Sequence, residues 1–286
     1  MPDPGIETLY LRPTTLNEAV QNLAIHGGKI LSGGTDFFPS LGERAPRGPV
    51  VDVSSIRDLR GVSIEQERVR IGGLTTWSEI VSTRLPRCFD SLKEAAQQVG
   101  SIQIQNRGTV AGNLCNASPA ADGIPPLLAL DAEVELVSAT GTRRMPLADF
   151  VVGNRKTERR PDEILANIYV PRDLDEAGSK FLKLGARRYL VISISMVAAI
   201  VRSDTSGKVS AARVAVGSCS ARAQRLPEVE RALVGVTASP GFGETAVQTH
   251  LAPLSPIDDI RATASYRMDA SLTLIRRALE ACVAHR

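Results

Sequence analysis

Apolar and polar residues alternate along this chain with two different periods, and each period predicts an element. In "TTLNEAVQNLAIHGG" (14–28), Leu16, Ala19, Val20, Leu23 and Ala24 recur at helical spacing. A threonine is placed to cap this helix and Gly27-Gly28 to end it. The short apolar runs "KIL" and "PVVDV" read as buried strands, with a turn at Ser54-Ser55. "VRIGGL" predicts a further strand, and "TTWSEIVSTRL" a helix whose Thr76 and Glu79 match a capping box. A second helix is expected over roughly 88–98, followed by a long small-residue loop, "QNRGTVAGNLCNASPAAD" (105–122), and an apolar helix in "GIPPLLALDA".

Period-two alternation returns in "AEVELV" and in "EILANIYVP", which Pro171 stops. A linker-like stretch, "PRDLDEAGS", sets off the C-terminal third of the chain. "KFLKLGARR" and "VISISMVAAIV" predict strands, the latter turning through "SDTSG" into "VSAARVAVG" as a hairpin. "LPEVERALVG" and "MDASLTLIRRALEACV" then predict helices. The sum is an α+β architecture in three parts: an N-terminal lobe over 1–57, a central lobe with the long loop over 58–175, and a C-terminal sheet-plus-helix domain over 176–286. No internal repeat or low-complexity segment interrupts it.

At 286 residues the chain is long enough for two or three such units. A net charge of +3, evenly spread, argues against nucleic acid or a membrane surface as the partner. No run of about eighteen apolar residues is present, and "MPDPGIETLY" lacks the regions of a signal peptide, so the expectation is a cytosolic protein. Cys88, Cys115, Cys219 and Cys282 are far apart and form no CxxC, which speaks against a structural metal or an iron–sulfur cluster in this chain. Reduced thiols, mostly buried, are expected instead. His26, His250 and His285 suggest no Ser-His-Asp or Cys-His constellation, and there is no HExxH.

The candidate chemistry lies in two glycine-containing turns. "LSGGTDF" (31–37) follows a strand, and "TVAGNLCNASPAAD" (109–122) precedes the apolar helix. Glycines permit positive φ and let a ligand approach the backbone, so that free N–H groups converge on an anion such as a pyrophosphate. Neither a GxxxxGK[ST] loop nor a Rossmann GxGxxG is present. A nucleotide bound here needs a different fold.

"SGGTD", "TVAGNLCNASPAAD", "EIL" at 163–165 and "FLKLGARR" at 181–188, in this order and spacing, resemble the FAD-binding medium subunit of the molybdenum hydroxylases, the xanthine dehydrogenase and carbon monoxide dehydrogenase family. The resemblance extends over essentially the whole chain, and the T-x-x-G-N-x(8)-D pattern carries most of it. It implies a two-lobed FAD-binding domain of the vanillyl-alcohol-oxidase/PCMH type, followed by an antiparallel sheet-plus-helices domain.

It also implies a set of cofactor contacts. Ile30, Leu31, Ser32, Gly33, Gly34, Thr35, Asp36 and Phe37 would flank FAD on one side, and Thr109, Val110, Ala111, Gly112 and Asn113 on the other. The backbone of both turns would hold the pyrophosphate, and Thr109 would add a hydroxyl. Asp122 would accept hydrogen bonds from cofactor hydroxyls, Ile164 and Leu165 would lie against the isoalloxazine, Lys183 would sit near its polar edge, and Val99 would line the cleft. Read from the residues alone, Asp122 also suits a cap for the following helix, Lys183 a solvated strand position, and Leu165 plain core.

The chain departs from the family pattern in two places. Ala111 stands where glycine is usual, and "YLVISIS" replaces an acidic-alanine pattern after Arg187-Arg188, leaving the roles of Tyr189 and Leu190 open. The partners implied are a small subunit with two [2Fe–2S] clusters and a large molybdenum-cofactor subunit, in a dimer of heterotrimers. Electrons would pass through non-covalently held FAD to an external acceptor such as NAD or a quinone. Two rival readings are a self-sufficient FAD oxidoreductase of the same fold and a non-catalytic anion-binding or scaffold protein.

Overall fold

The computed structural model describes residues 9–187 and 190–284. Arg188, Tyr189 and His285 therefore lie outside the described residues. The chain opens with β1 (Tyr10–Leu11), α1 (Leu16–His26), β2 (Lys29–Leu31), α2 (Phe37–Leu41) and β3 (Val50–Asp52). Thr15 caps α1 by accepting from the Glu18 N–H, and Gly27, at φ +63°, ends it. The strands form a parallel sheet in the order β1–β3–β2. Ala19, Val20 and Leu23 of α1 bury against Val51, Val53 and Ile56.

Next come β4 (Val62–Ile64), β5 (Arg68–Gly72), α3 (Trp77–Ser82), α4 (Asp90–Ala96), α5 (Ile102–Gln105), α6 (Val110–Asn116) and α7 (Ile124–Ala129). They are followed by β6 (Glu133–Ser138), β7 (Gly141–Pro146), α8 (Leu147–Phe150), β8 (Val151–Gly153), β9 (Lys156–Thr157) and β10 (Ile164–Pro171). Five of these strands make an antiparallel sheet, β4–β5–β10–β6–β7, and β8 pairs with β9 alone. The capping box closes as the sequence predicts: Thr76 accepts from the Glu79 N–H, and the Glu79 carboxylate accepts from the Thr76 N–H at 2.7 Å.

The last part holds β11 (Gly178–Leu184), β12 (Ser195–Ser203), β13 (Val209–Gly217), β14 (Gln224–Arg225), α9 (Pro227–Leu233) and α10 (Ala264–Val283). Its four strands are antiparallel in the order β11–β12–β13–β14. One face of β12 (Val197, Ala199, Val201) packs with Ile275, Ala278 and Leu279 of α10. The other face (Met196, Ala198, Ile200) joins the core that contains Leu127 and Phe89. Burial on both faces explains why this strand reads as a continuous apolar run rather than an alternation.

Two expectations change. The supposed loop 105–122 contains the helix α6, with Thr109 as its cap and Val110, Ala111 and Leu114 buried. Burial of that apolar side outweighs the poor helix propensity of Gly112 and Asn113. The supposed linker is packed as well. Leu174 and Ala177 are buried, and Ser179 ties the segment to the start of α4 by accepting from the Ser91 N–H and donating to the Arg87 carbonyl.

Candidate functional site

The two glycine turns meet. Ser32 Oγ and Thr109 Oγ1 are 3.2 Å apart, although 77 residues separate them in sequence. Gly33 rests on the main chain before Thr109, so closely that a Cβ would lie 2.0 Å from the Arg107 carbonyl oxygen. Gly34 follows at φ +77°, a conformation that glycine reaches without strain. The N–H groups of Gly33, Gly34, Thr35 and Asp36 donate to no acceptor among the described residues. Successive free amides of this kind form a cradle for an anion.

The second turn is built differently. Most of its amides are already used: Val110 N–H donates to the Thr75 carbonyl at 2.9 Å, Ala111 to Gly73 at 3.2 Å, and Asn113 to Thr109 at 3.1 Å. The Gly112 N–H donates to Thr109 Oγ1 at 3.0 Å. The sequence-based picture of two rows of free amides is therefore corrected: the first turn presents a row of four, and in the second only the Thr109 N–H lacks an acceptor among the described residues. The second contributes a rigid wall and one unpaired side-chain atom, the buried Asn113 Oδ1, which has no hydrogen-bond partner. Gly112 is required by this wall, since a Cβ would stand 2.8 Å from Thr109 Oγ1 and 3.3 Å from Ser32 Oγ.

Between these walls lies a cleft of about 830 Å³. Ile30, Ser32, Gly33, Gly34, Thr35, Asp36 and Phe37 line one side, and Thr109, Ala111, Gly112 and Asn113 the other. Ile164 and Leu165 line it together with Val53, Leu59 and Leu74, and Val99 lies among Trp77 and Ile104. Leu31 and Val110 are buried and do not line the cleft. The Ala111 methyl is in place against Gly73, 3.3 Å from where a Cβ on that glycine would sit.

Asp122 and Lys183 do not line the cleft either; they bind each other. Lys183 Nζ donates to Asp122 Oδ2 at 2.8 Å, with both side chains more than nine-tenths buried. Ser193 donates to the other carboxylate oxygen at 3.0 Å. Burial pushes the Asp122 carboxyl up, while the Lys183 ammonium and the Ser193 hydroxyl pull it down; burial prevails. The capping alternative for Asp122 is not what the structure shows, because Gly123 is the N-cap of α7 and no side chain caps it. The pair adjoins the cleft through Gly123, whose Cβ position is 3.0 Å from Asn113 Oδ1 and 2.3 Å from Trp77.

The residues present fit a dinucleotide: a row of unpaired amides for a pyrophosphate, apolar surface at Ile30, Ile164 and Leu165 for a flat ring, and room for both. A family model described as the FAD binding domain in molybdopterin dehydrogenase matches residues 5–173. The CO dehydrogenase flavoprotein C-terminal domain matches residues 180–282. The chain belongs to the FAD-binding medium subunits of the molybdenum hydroxylases. Its cofactor is FAD, and it is an oxidoreductase component.

Relatives of this medium subunit include the nicotinate dehydrogenase FAD-subunit of Eubacterium barkeri, 34% identical over 236 residues and 79% of each chain. The 6-hydroxypseudooxynicotine dehydrogenase complex subunit alpha of Paenarthrobacter nicotinovorans is 32% identical over 94% of this chain and 92% of the relative. Among solved structures, carbon monoxide dehydrogenase from Hydrogenophaga pseudoflava superposes with a TM-score of 0.88 at 28% identity, covering 97% of this chain and 98% of that one. The α+β fold of the medium subunit, with its antiparallel C-terminal sheet, is that of these flavoproteins.

Sequence reasoning missed part of the cleft. Arg155, Lys156 and Arg159 of the β8–β9 hairpin region stand at it, as does Lys29. Arg155 is held there by a 2.5 Å hydrogen bond to Asn116 Oδ1. Gly73 was the readable signal: a third adjacent-glycine pair, Gly72-Gly73, in which a Cβ on Gly73 would meet the Leu165 carbonyl at 2.4 Å. Among the described residues no His, Cys, Asp and Glu group could hold a metal ion. No helix among them is long and apolar enough to cross a membrane.

Proposed function

We propose that this chain carries electrons within a cytoplasmic molybdenum hydroxylase, receiving them from a small [2Fe–2S] subunit and delivering them from its FAD to an external acceptor. A large molybdenum-cofactor subunit would complete the unit, in a dimer of heterotrimers. The observation that carries this reading is the cleft with four unpaired amides, Gly33 through Asp36, in a chain whose described residues offer no metal-ligand cluster. Substrate oxidation would fall to the large molybdenum-cofactor subunit. The four free thiols suit a reducing compartment.

The bound flavin supplies the redox chemistry. What this chain contributes is binding, position and charge. The amides of Gly33 to Asp36 would hold the pyrophosphate, with Ser32, Phe37, Thr109, Gly112 and Asn113 closing around it. Ile30, Ile164 and Leu165 would pack on a ring, with Leu31, Val110 and Ala111 fixing the walls from behind and Val99 completing the lining. Asp122 and Lys183 would act as a pair behind the cleft wall, holding Gly123 in place against Asn113 and Trp77.

Among the described residues no His, Tyr or Glu lines the cleft, so it offers few groups for substrate acid–base work of its own. Heat denaturation of the purified chain should release FAD at close to one per chain; stoichiometric FMN, or no flavin after reconstitution, overturns the cofactor assignment. An isolated chain that oxidised a small organic substrate as fast as the native complex would overturn the subunit role.

A further inference from the structure

The glycine turns have a second cavity against them. We propose that it is a binding site for a small tetrahedral oxyanion of the phosphate class, separate from the FAD cleft. It has a volume of about 210 Å³ and shares Ser32, Gly33, Leu74 and Thr109 with the larger cleft as a common wall. The rest of its lining is strongly basic: Arg12, Arg60 and Arg107, with no Asp or Glu.

These arginines come from three separate segments, Arg12 after β1, Arg60 after the short turn Arg57–Leu59, and Arg107 after α5. Arg12 and Arg60 have one carboxylate neighbour each outside the lining, Asp52 at 3.6 Å and Glu79 at 3.3 Å. The Arg107 side chain pairs with no carboxylate among the described residues. Both nearby carboxylates are also committed elsewhere. Asp52 accepts from Tyr10 and from the Ser54 N–H, and Glu79 closes the α3 capping box. Three guanidiniums against two carboxylates leave one positive charge in excess at the cavity, on side chains that solvent reaches.

Planar guanidinium forks match phosphate and sulfate oxygens in pairs, and Ser54 and Asn106 add polar atoms to the same lining. A space of about 210 Å³, against about 830 Å³ for the cleft, suits one such ion or one terminal phosphate group rather than a dinucleotide. The common wall gives such an ion an effect on FAD. Gly33 lies on the Arg107 carbonyl, so an anion that fixes Arg107 also fixes the platform under the free amides of the first turn. Coupling of this kind is reciprocal: the oxyanion tightens FAD, and FAD tightens the oxyanion.

The test uses the whole chain with inorganic phosphate as the probe, at low-millimolar concentration and constant ionic strength, below the range where excluded salts stabilise proteins generally. Melting of the FAD-loaded protein and the affinity of the apo-protein for FAD are both followed. The expected results are a saturable rise in melting temperature and FAD affinity raised about 5-fold or more. Arg107→Gln should abolish both responses, and Arg12→Gln should weaken them, providing a second variant if the first does not fold. ADP serves as a further probe on the FAD-loaded protein, in which the ADP half of FAD already fills its own cleft. Tighter binding of ADP than of phosphate through the same arginines identifies a nucleotide phosphate as the source, and weaker binding identifies the free ion.

Three results overturn the proposal: an equal response to chloride, a phosphate response unchanged in Arg107→Gln, or competition between phosphate and FAD. The last would place the ion in the cofactor's own cradle. The FAD assignment is tested apart from this, since stoichiometric FAD in phosphate-free buffer stands whatever phosphate does.

Discussion

Removing the Asp122 carboxylate should destabilise the protein far more than the loss of one hydrogen bond. Asp122 and Lys183 meet at 2.8 Å with side-chain exposures of 9% and 6%, so neither charge has water to fall back on. Asp122→Ala leaves the Lys183 ammonium buried and unpaired, an outcome that costs about 3–5 kcal/mol.

The double variant Asp122→Ala/Lys183→Met removes both charges and should recover about 2–3 kcal/mol relative to the sum of the single losses. A helix cap, by contrast, would cost about 1 kcal/mol and show no coupling to Lys183. Urea unfolding of the apo-proteins measures these numbers, and the single tryptophan gives a local signal. Trp77 is buried and packs on Gly123, next to Asp122. Single losses below about 1 kcal/mol, or strict additivity in the double variant, would refute the ion-pair argument.

Gly33→Ala should weaken FAD retention by at least about ten-fold, because its methyl has to displace the Arg107 carbonyl 2.0 Å away; far-UV circular dichroism should still show the C-terminal sheet, and unchanged retention would exclude the cradle. Gly112→Val should lose most FAD and about 1 kcal/mol of apo-protein stability, since its Cβ meets Thr109 Oγ1, the cap of α6, at 2.8 Å; melting and flavin titration read the two effects separately. The Arg261 N–H, together with the Arg267 and Arg261 guanidiniums, outweighs burial and brings the Asp259 carboxyl down to about 2. Its folded value is thus depressed, so its contribution is full above the ordinary 3.8 and is lost as pH falls through about 2. Asp259→Asn should flatten that part of the acid-unfolding profile, and an unaltered profile would contradict the assignment.

Elements whose stability is local were legible in the amino-acid order alone. Thr15 and Gly27 bound α1, Thr76 and Glu79 close a capping box within four residues, and the alternation of β13 places its hairpin partner across a short polar turn. Such signals need only the residues that make them. The glycine at 34 was legible for the same reason, as its positive φ belongs to its own turn.

Other features exist only once distant segments meet. Whether an amide in "TVAGN" is free depends on Thr75 and Gly73, residues of another segment that offer their carbonyls. That the segment is a helix depends on a core to receive Val110 and Leu114. Gly33 is needed because of Arg107, and Asp122 finds its charge partner 61 residues away on β11. These are contacts between chain segments brought together only by burial of the shared core, and composition along one segment carries no record of which partner burial will supply.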